Sequence, residues 1–253
     1  GGTHQLEALI LAAGRGSRLG ELGGGLPKTL LRIGDRPIIA HQLSLLHEMG
    51  IRKATVVVGF QAEQAVRAIT EVTPTGMHVQ FVINPFYTVT NTLGSFWLGL
   101  SSVSEDLVYM NGDTVFDRPV LRRLLDAPAD VAMAIDDHPC GDEEMKVIIR
   151  DAAVVRVSKE VDPSDAQGEF IGVAAFKREA IETFARAALK AFNEWGPMSY
   201  TEAAFEVMAA DGYRLTPVDI TGLYWQEIDF EADLERARVQ FPHSEIGRAC
   251  RPG

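Results

Sequence analysis

Through its first half the chain alternates short β-branched runs with stretches of helical periodicity, and that rhythm leaves few folds open. Residues 7–12 read as a buried opening strand. Pro37 starts a helix in which Ile39, Leu43 and Leu46 share one face, and Gly50 ends it. Further strand runs fall at 54–58, 79–83 and 106–110, with helices over 61–69 and 92–100 between them. Such alternation makes right-handed βαβ units, so the expectation is an α/β fold with a doubly wound, mostly parallel, Rossmann-like sheet. Beyond about residue 130 the pattern changes. Runs at 131–135, 146–149, 154–158 and 170–176 read as strands parted by turns, an added mixed β region. Helices over 179–194 and 200–210, a strand near 214–219, an extended segment at 224–229 and a helix over 230–239 follow. No low-complexity linker or internal repeat interrupts the chain, so residues 1–253 read as one domain with two halves, about 6–130 and about 131–240.

Bulk properties exclude several classes of function. No apolar run approaches the ~20 residues of a membrane span, and residues 8–13 are too short and lack a signal-peptide layout. Gly1-Gly2-Thr3-His4 reads as a remnant of expression. A cytoplasmic protein with no membrane partner is expected. Cys140 and Cys250 form neither a disulfide framework nor a metal-ligand spacing. A net charge of −11 argues against nucleic acid as a partner, because neutralising its backbone needs a basic face. A small polyanion is not excluded if a few cationic groups and a bridging metal ion gather in one pocket.

The segment after the opening strand has that character. Leu11, Ala12, Ala13, Gly14, Arg15, Gly16, Ser17 and Arg18 lead through Gly23-Gly24-Gly25 to Pro27-Lys28. Glycines let backbone N–H groups approach an anion, and strand-to-loop junctions in open α/β sheets are where ligands bind. Arg15, Arg18 and Lys28 add cations suited to a triphosphate. A P-loop would need Gly-Lys-Ser/Thr, which is absent. A dinucleotide fold would need an acid to read a ribose, and Asp35 looks like a turn residue. Asp113 and Asp229 lie at expected strand ends, where hard oxygen ligands suit Mg²⁺. Either could equally be a helix N-cap, Asp229 above all. Lys146 and Lys159 sit at strand edges, where a lone lysine is usually solvated.

The run Leu11-Ala12-Ala13-Gly14-x-Gly16-x-Arg18 followed by Pro27-Lys28 resembles the signature of the sugar-phosphate nucleotidylyltransferase superfamily. Asn84-Pro85-Phe86-Tyr87, Asn91-Thr92, Ser95, Glu144-Met145-Lys146-Val147, Gly168 to Gly172 and Glu227-Ile228-Asp229 resemble its phosphocholine and aminoethylphosphonate cytidylyltransferase branch. The likeness runs from about Leu6 to Arg238. It implies a nucleotide-binding first half, with Leu11 to Gly14, Arg15, Gly16 and Gly112 against the nucleotide. Asn84, Asn91, Thr92 and Ser95 would lie near the base, and Arg18, Lys28 and Lys146 would face the reacting phosphates. Asp113 and Asp229 would hold Mg²⁺. An acceptor-binding second half would offer Lys159, Glu169, Tyr200, Glu202 and Glu227.

The implied reaction joins a nucleoside monophosphate, from CTP or another NTP, to a phosphorylated or phosphonylated small molecule and releases pyrophosphate. The acceptor oxygen is already ionised near neutral pH (second phosphate pKa ≈ 6), so no general base is required. The six histidines accordingly lie outside every motif named, and His41, His47 and His78 read as structural. A quaternary ammonium acceptor would want an aromatic cage, and a primary amine would want carboxylates such as Glu169, Glu202 and Glu227. Inositol or sugar phosphates are the alternative acceptors. A catalytically silent nucleotide-binding regulator and, more distantly, a dehydrogenase remain other classes, and a homodimer stays open.

Overall fold

A computed structural model describes residues 5–23 and 25–241, together with 244 and 248. Gly24, Cys250 and the first four residues lie outside the described residues. The chain opens with β1 (Leu6–Ala12), passes short 3₁₀ segments at Ser17–Gly23 and Lys28–Leu30, and makes a small hairpin from β2 (Arg32–Ile33) and β3 (Arg36–Pro37). Asp35 sits in that hairpin's turn. Then come α1 (Ile38–Glu48), β4 (Lys53–Val58), α2 (Ala62–Val72), β5 (His78–Ile83), α3 (Thr92–Leu100) and β6 (Asp106–Asn111). Next follow β7 (Thr114–Phe116), α4 (Arg118–Asp126), β8 (Val131–Asp136), β9 (Lys146–Arg150), β10 (Ala153–Ser158) and β11 (Glu169–Phe176). The last elements are α5 (Arg178–Trp195), α6 (Thr201–Ala210), β12 (Thr216–Asp219), β13 (Trp225–Glu227) and α7 (Glu231–Gln240).

Strands from both halves join one nine-stranded sheet. Its first part, in the order β6-β1-β4-β5, is parallel throughout. The added part hangs on β11, which runs antiparallel to β6, β8 and β9, while β12 lies parallel to β8. Alternation along β1 explains the layers. Ala8, Ile10 and Ala12 face one core with residues of α1, α2 and α4, and Leu9 and Leu11 face another with α3, α5 and α6. The second core is aromatic: Phe96, Phe176, Phe184 and Phe205 pack with ring centroids 4.5 to 5.9 Å apart. Both inner faces being covered is why β1 reads as a continuous apolar run rather than an alternating one.

A third, smaller core decides where the glycine loop goes. Leu19 from the first 3₁₀ segment is buried with Ile33, Ile38, Ile228, Leu234 and Phe241. Fully burying a leucine contributes about 1.5–3 kcal/mol. Leu19 is thereby an anchor that fixes the neighbouring Arg18, and it ties the loop to α7 at the other end of the chain. Helix α4 and the strands β2, β3 and β7 were not expected from sequence. Pro119 in the first turn of α4 and buried Val120, Leu121 and Leu124 are the signals that mark that helix.

Candidate active site

β1 and β6 are parallel neighbours, with Leu11 opposite Asn111, and their carboxyl ends open at one edge of the sheet. The crossover α1 covers one face and α3 the other, so this edge is a topological switch point. Gly112 draws the two strand ends together. Its N–H donates to the Leu11 carbonyl at 2.7 Å, and a Cβ there would lie 2.8 Å from that same oxygen. An open cleft of 310 Å³ starts at this floor and extends over β11 and the start of α6.

At the floor, basic side chains of the glycine loop meet two acids from distant parts of the chain. Lys28 Nζ donates to Asp113 Oδ2 at 2.9 Å and to Asp229 Oδ1 at 3.0 Å. Arg18 NH1 donates to the other oxygen of Asp229 at 2.8 Å, and the guanidinium lies 5.3 Å from the Phe230 ring centroid. Burial disfavours the charged forms of Lys28 and Asp229, but their mutual attraction wins. Asp113 and Asp229 together push the Lys28 amine up, and Lys28 with Arg18 holds the Asp229 carboxyl below the usual range. Arg18 is likewise raised by Asp229. Asp229 is not a helix cap: the carboxylate of Asp233 takes the Asp229 and Phe230 amides at 3.0 and 2.7 Å and leaves Asp229 for the cleft.

The opposite wall is acidic. Glu202, at the start of α6, is 5% exposed, and among the described residues neither it nor Glu227 has a salt-bridge partner. Burial raises the Glu202 carboxyl to about 7, against smaller opposing contributions from its own amide and Lys159. Burial, then repulsion from Asp113, carries Glu227 well above the carboxylate range. Burial also raises Glu169 to about 7, although His138 Nε2 meets its Oε1 at 2.7 Å. Lys159 stands 5.0 Å from the Tyr200 ring centroid and 3.6 Å from Glu143, which also reaches Arg18 at 3.7 Å. Among the described residues six acidic and four basic side chains line the cleft, and Glu202 and Glu227, which lack a salt-bridge partner, leave room there for an additional positive charge.

Most residues singled out from sequence converge here. Leu11, Ala12, Gly14, Arg15, Gly16 and Arg18 line the cleft with Lys28, Asn91, Thr92, Gly112 and Asp113. So do Lys159, Glu169, Tyr200, Glu202, Glu227 and Asp229. Four residues do not. Ala13 is buried beneath the loop, and its carbonyl accepts the Phe60 amide. Asn84, fully buried, donates to Thr90 and Ser95 and takes the Phe86 amide, so Asn84 and Ser95 brace the loop between β5 and α3 instead of reaching a base. Asn91 caps α3 through the Thr92 amide. Lys146 corrects the expectation that it faces reacting phosphates. It is fully buried, and its Nζ donates to the carbonyls of Gly141, Asp142 and Glu144 at 3.0, 3.2 and 3.1 Å. It therefore folds the loop that carries Glu143 and Met145 into the cleft wall.

Sequence reasoning gave no role to Asn111, Gly172 or His138. Tyr109 donates to Asn111 Oδ1 at 2.8 Å, which turns the amide nitrogen towards Gly172. A Cβ at Gly172, where φ is +78°, would lie 2.4 Å from that nitrogen. Only the polar residue ending an apolar strand signalled Asn111, and nothing local signalled His138.

The donor set suits a magnesium ion. Asp113 and Asp229 both touch one ammonium nitrogen, so their oxygens already surround a positive charge. No group of three His, Cys, Asp or Glu side chains is arranged to hold a metal among the described residues. Two carboxylates are nonetheless what Mg²⁺ takes when phosphate oxygens and water complete its octahedron.

The model for the MobA-like NTP transferase domain matches residues 8–193. A curated relative, the CMP-5'-(3-aminopropyl)phosphonate synthase of Streptomyces rubellomurinus, is 34% identical over 93% of this chain, which spans 39% of that protein's length. The CTP:phosphoglutamine cytidylyltransferase of Campylobacter jejuni is 24% identical over 91% of this chain and 98% of its own. Among solved structures, the inositol-1-phosphate CTP transferase from T. maritima superposes with a TM-score of 0.78 at 20% identity, covering 94% of this chain and 97% of that one. The CTP:phosphocholine cytidylyltransferase of Streptococcus pneumoniae gives 0.75 at 22% identity, over 93% and 98%. These likenesses establish a shared fold.

Proposed function

The chain belongs to the MobA-like NTP transferase family, and from that premise we propose that it transfers CMP from CTP to an amine-bearing phosphonate or phosphate monoester with Mg²⁺ as cofactor. The observation that carries the reading is the cluster at the cleft floor, where Lys28 bridges Asp113 and Asp229 and Arg18 holds Asp229 from the other side. The cytidylyl donor and the amine-bearing acceptor are suggested by the names of the relatives in Streptomyces and Campylobacter. The acid wall supports an ammonium on the acceptor: Glu202 is buried, Glu227 is half-buried, neither has a salt-bridge partner among the described residues, and an arriving cation would offset the cost of ionising them. Tyr200, already stacked with Lys159, does not make an aromatic cage for a quaternary headgroup.

In the proposed reaction an acceptor oxygen attacks the α-phosphorus of CTP. The new P–O bond forms as the bond to the β-phosphate oxygen breaks, and pyrophosphate leaves with that electron pair. No proton need move, since the attacking oxygen is ionised near pH 7. The difficulty is bringing two polyanions together, which positioning and fixed charge must solve. Arg18 offers a planar fork and Lys28 a point charge to the triphosphate. Backbone of Leu11 to Gly16 forms the nucleotide's bed, and Lys159 stands on the acceptor side. Asp113 and Asp229 would hold the metal ion, which when bound neutralises charge on the phosphates. The test is pyrophosphate release with Mg²⁺, scanning four NTPs against aminoalkylphosphonates, hydroxyethylphosphonate, phosphocholine and inositol or sugar phosphates. Release confined to CTP with an amine-bearing acceptor supports the proposal. Release confined to a purine NTP or a sugar phosphate overturns it.

A further inference from the structure

The two ring nitrogens of His138 have fixed partners. Nδ1 lies 2.8 Å from the Pro139 carbonyl oxygen, and Nε2 lies 2.7 Å from Glu169 Oε1. A carbonyl oxygen only accepts, so Nδ1 carries a hydrogen. With that hydrogen placed, a neutral imidazole would aim the Nε2 lone pair at a carboxylate lone pair. A contact of 2.7 Å therefore needs one more proton, on Nε2 or on Oε1, and either location cancels the negative charge of Glu169. We propose that His138 is a positioning residue whose proton, shared with Glu169, decides how strongly the cleft favours an acceptor carrying an ammonium group. The inference rests on the acceptor reading above.

The surroundings keep the proton in place. Glu169 is 7% exposed at the start of β11, opposite Asp136 of β8 and Lys146 of β9. Glu144 and Cys140 also face it, and Glu202, Glu227 and Lys159 share its cleft. Lys146 is engaged with backbone carbonyls. Asp136 accepts the Trp225 indole N–H at 2.6 Å. Both members of the pair are raised: burial lowers His138, but its contacts with Glu169 and the Pro139 carbonyl together raise it, and burial raises Glu169. While the pair keeps its proton, Glu169 gives an ammonium no net countercharge; once the proton is lost, the countercharge appears. Glutamine at 138 can turn its amide to donate to the carboxylate, which stabilises the deprotonated form and moves the change to lower pH.

The experiment compares kcat/KM for 2-aminoethylphosphonate with that for 2-hydroxyethylphosphonate between pH 6 and 9. Titration of the nucleotide cancels in this ratio, and expressing each KM in the phosphonate dianion removes the different ionisation of the two acceptors. In the wild type the ratio rises by up to about tenfold per pH unit below its midpoint and then levels. His138→Gln moves the midpoint to lower pH with little change in kcat for the hydroxylated acceptor. An unmoved midpoint, or an equal loss for both acceptors, overturns the inference and leaves His138 a structural residue. Imidazole ¹⁵N shifts of His138 give a readout independent of any acceptor. Glu169→Gln lowers its titration midpoint if the proton is shared, and an unchanged midpoint overturns the inference even where the amine is a substrate. Failure of both acceptors to react with CTP counts against the acceptor reading, and the ¹⁵N result then decides the shared proton alone.

Discussion

Replacing Lys28 by methionine keeps the side chain's stem and deletes its charge. The amine sits 2.9 Å from Asp113 and 3.0 Å from Asp229. At an effective dielectric constant of about 20, opposite unit charges ~3 Å apart attract by about 5 kcal/mol. Desolvation cancels much of that, yet deleting one partner of a buried pair costs about 3–5 kcal/mol because the other is left uncompensated. The Lys28, Asp113 and Asp229 side chains keep 15, 18 and 26% exposure, so water screens the stranded carboxylates. The expected loss is about 2 kcal/mol. In a chain of this length that lowers Tm by roughly 4–8 °C, measured by thermal unfolding in chelator. Added Mg²⁺ should then raise the melting temperature of the variant more than that of the wild type, since the ion replaces the missing amine between the aspartates. Turnover should fall on the order of 10²–10³-fold. A variant that melts at or above the wild-type temperature in chelator would refute the reasoning, because Lys28 would then not be what holds the two acids together.

Glu202→Gln should stabilise the protein in a pH-dependent way. Burial lifts this carboxyl from 4.5 to about 7, so its stabilising contribution is complete below pH 4.5 and is lost as pH rises through about 7. The variant should gain on the order of 2 kcal/mol in urea unfolding at pH 8 and nothing at pH 4.5; an equal change at both pH values contradicts this. Gly172→Ala forces a Cβ to 2.4 Å from the Asn111 amide at a φ of +78°, with an expected cost of about 1–3 kcal/mol in denaturant unfolding and a clear fall in kcat/KM. Wild-type kinetics in that variant would show that Asn111 need not stay where it is. Lys146→Met removes three bonds to the loop carbonyls, so stability should drop by about 3 kcal/mol. The acceptor KM should rise while the KM for CTP holds, and a selective rise for CTP would return Lys146 to the phosphates.

Much of this molecule is legible in its sequence. The strand–helix alternation gave β1, β4, β5 and β6 because strands covered on both faces are apolar throughout, and their parallel order follows from the handedness of βαβ units. The glycine loop and its basic residues were legible because clustered glycines beside cationic side chains leave a compositional trace. Side-chain direction was not. Lys146 lies next to the cleft in sequence terms, yet its amine points into a ring of carbonyls, and strand-edge position alone cannot distinguish those outcomes. Asn84 and Ser95 bond to each other, and Asn84 also to Thr90 and the Phe86 amide, so their polar atoms brace the loop instead of the cleft. The pairing of His138 with Glu169 joins residues 31 positions apart through the register of β8 and β11, which local pattern does not encode.

The most direct measurement is ³¹P NMR of the protein incubated with CTP, Mg²⁺ and 2-aminoethylphosphonate. Pyrophosphate and a cytidylyl phosphonate anhydride should grow in equal amounts, with no signal growth in chelator or with Asp113→Asn. Conversion of CTP to CMP without an anhydride, or unimpaired turnover by Asp113→Asn, would contradict the claim that this cleft joins two anions at a metal ion held by the paired aspartates.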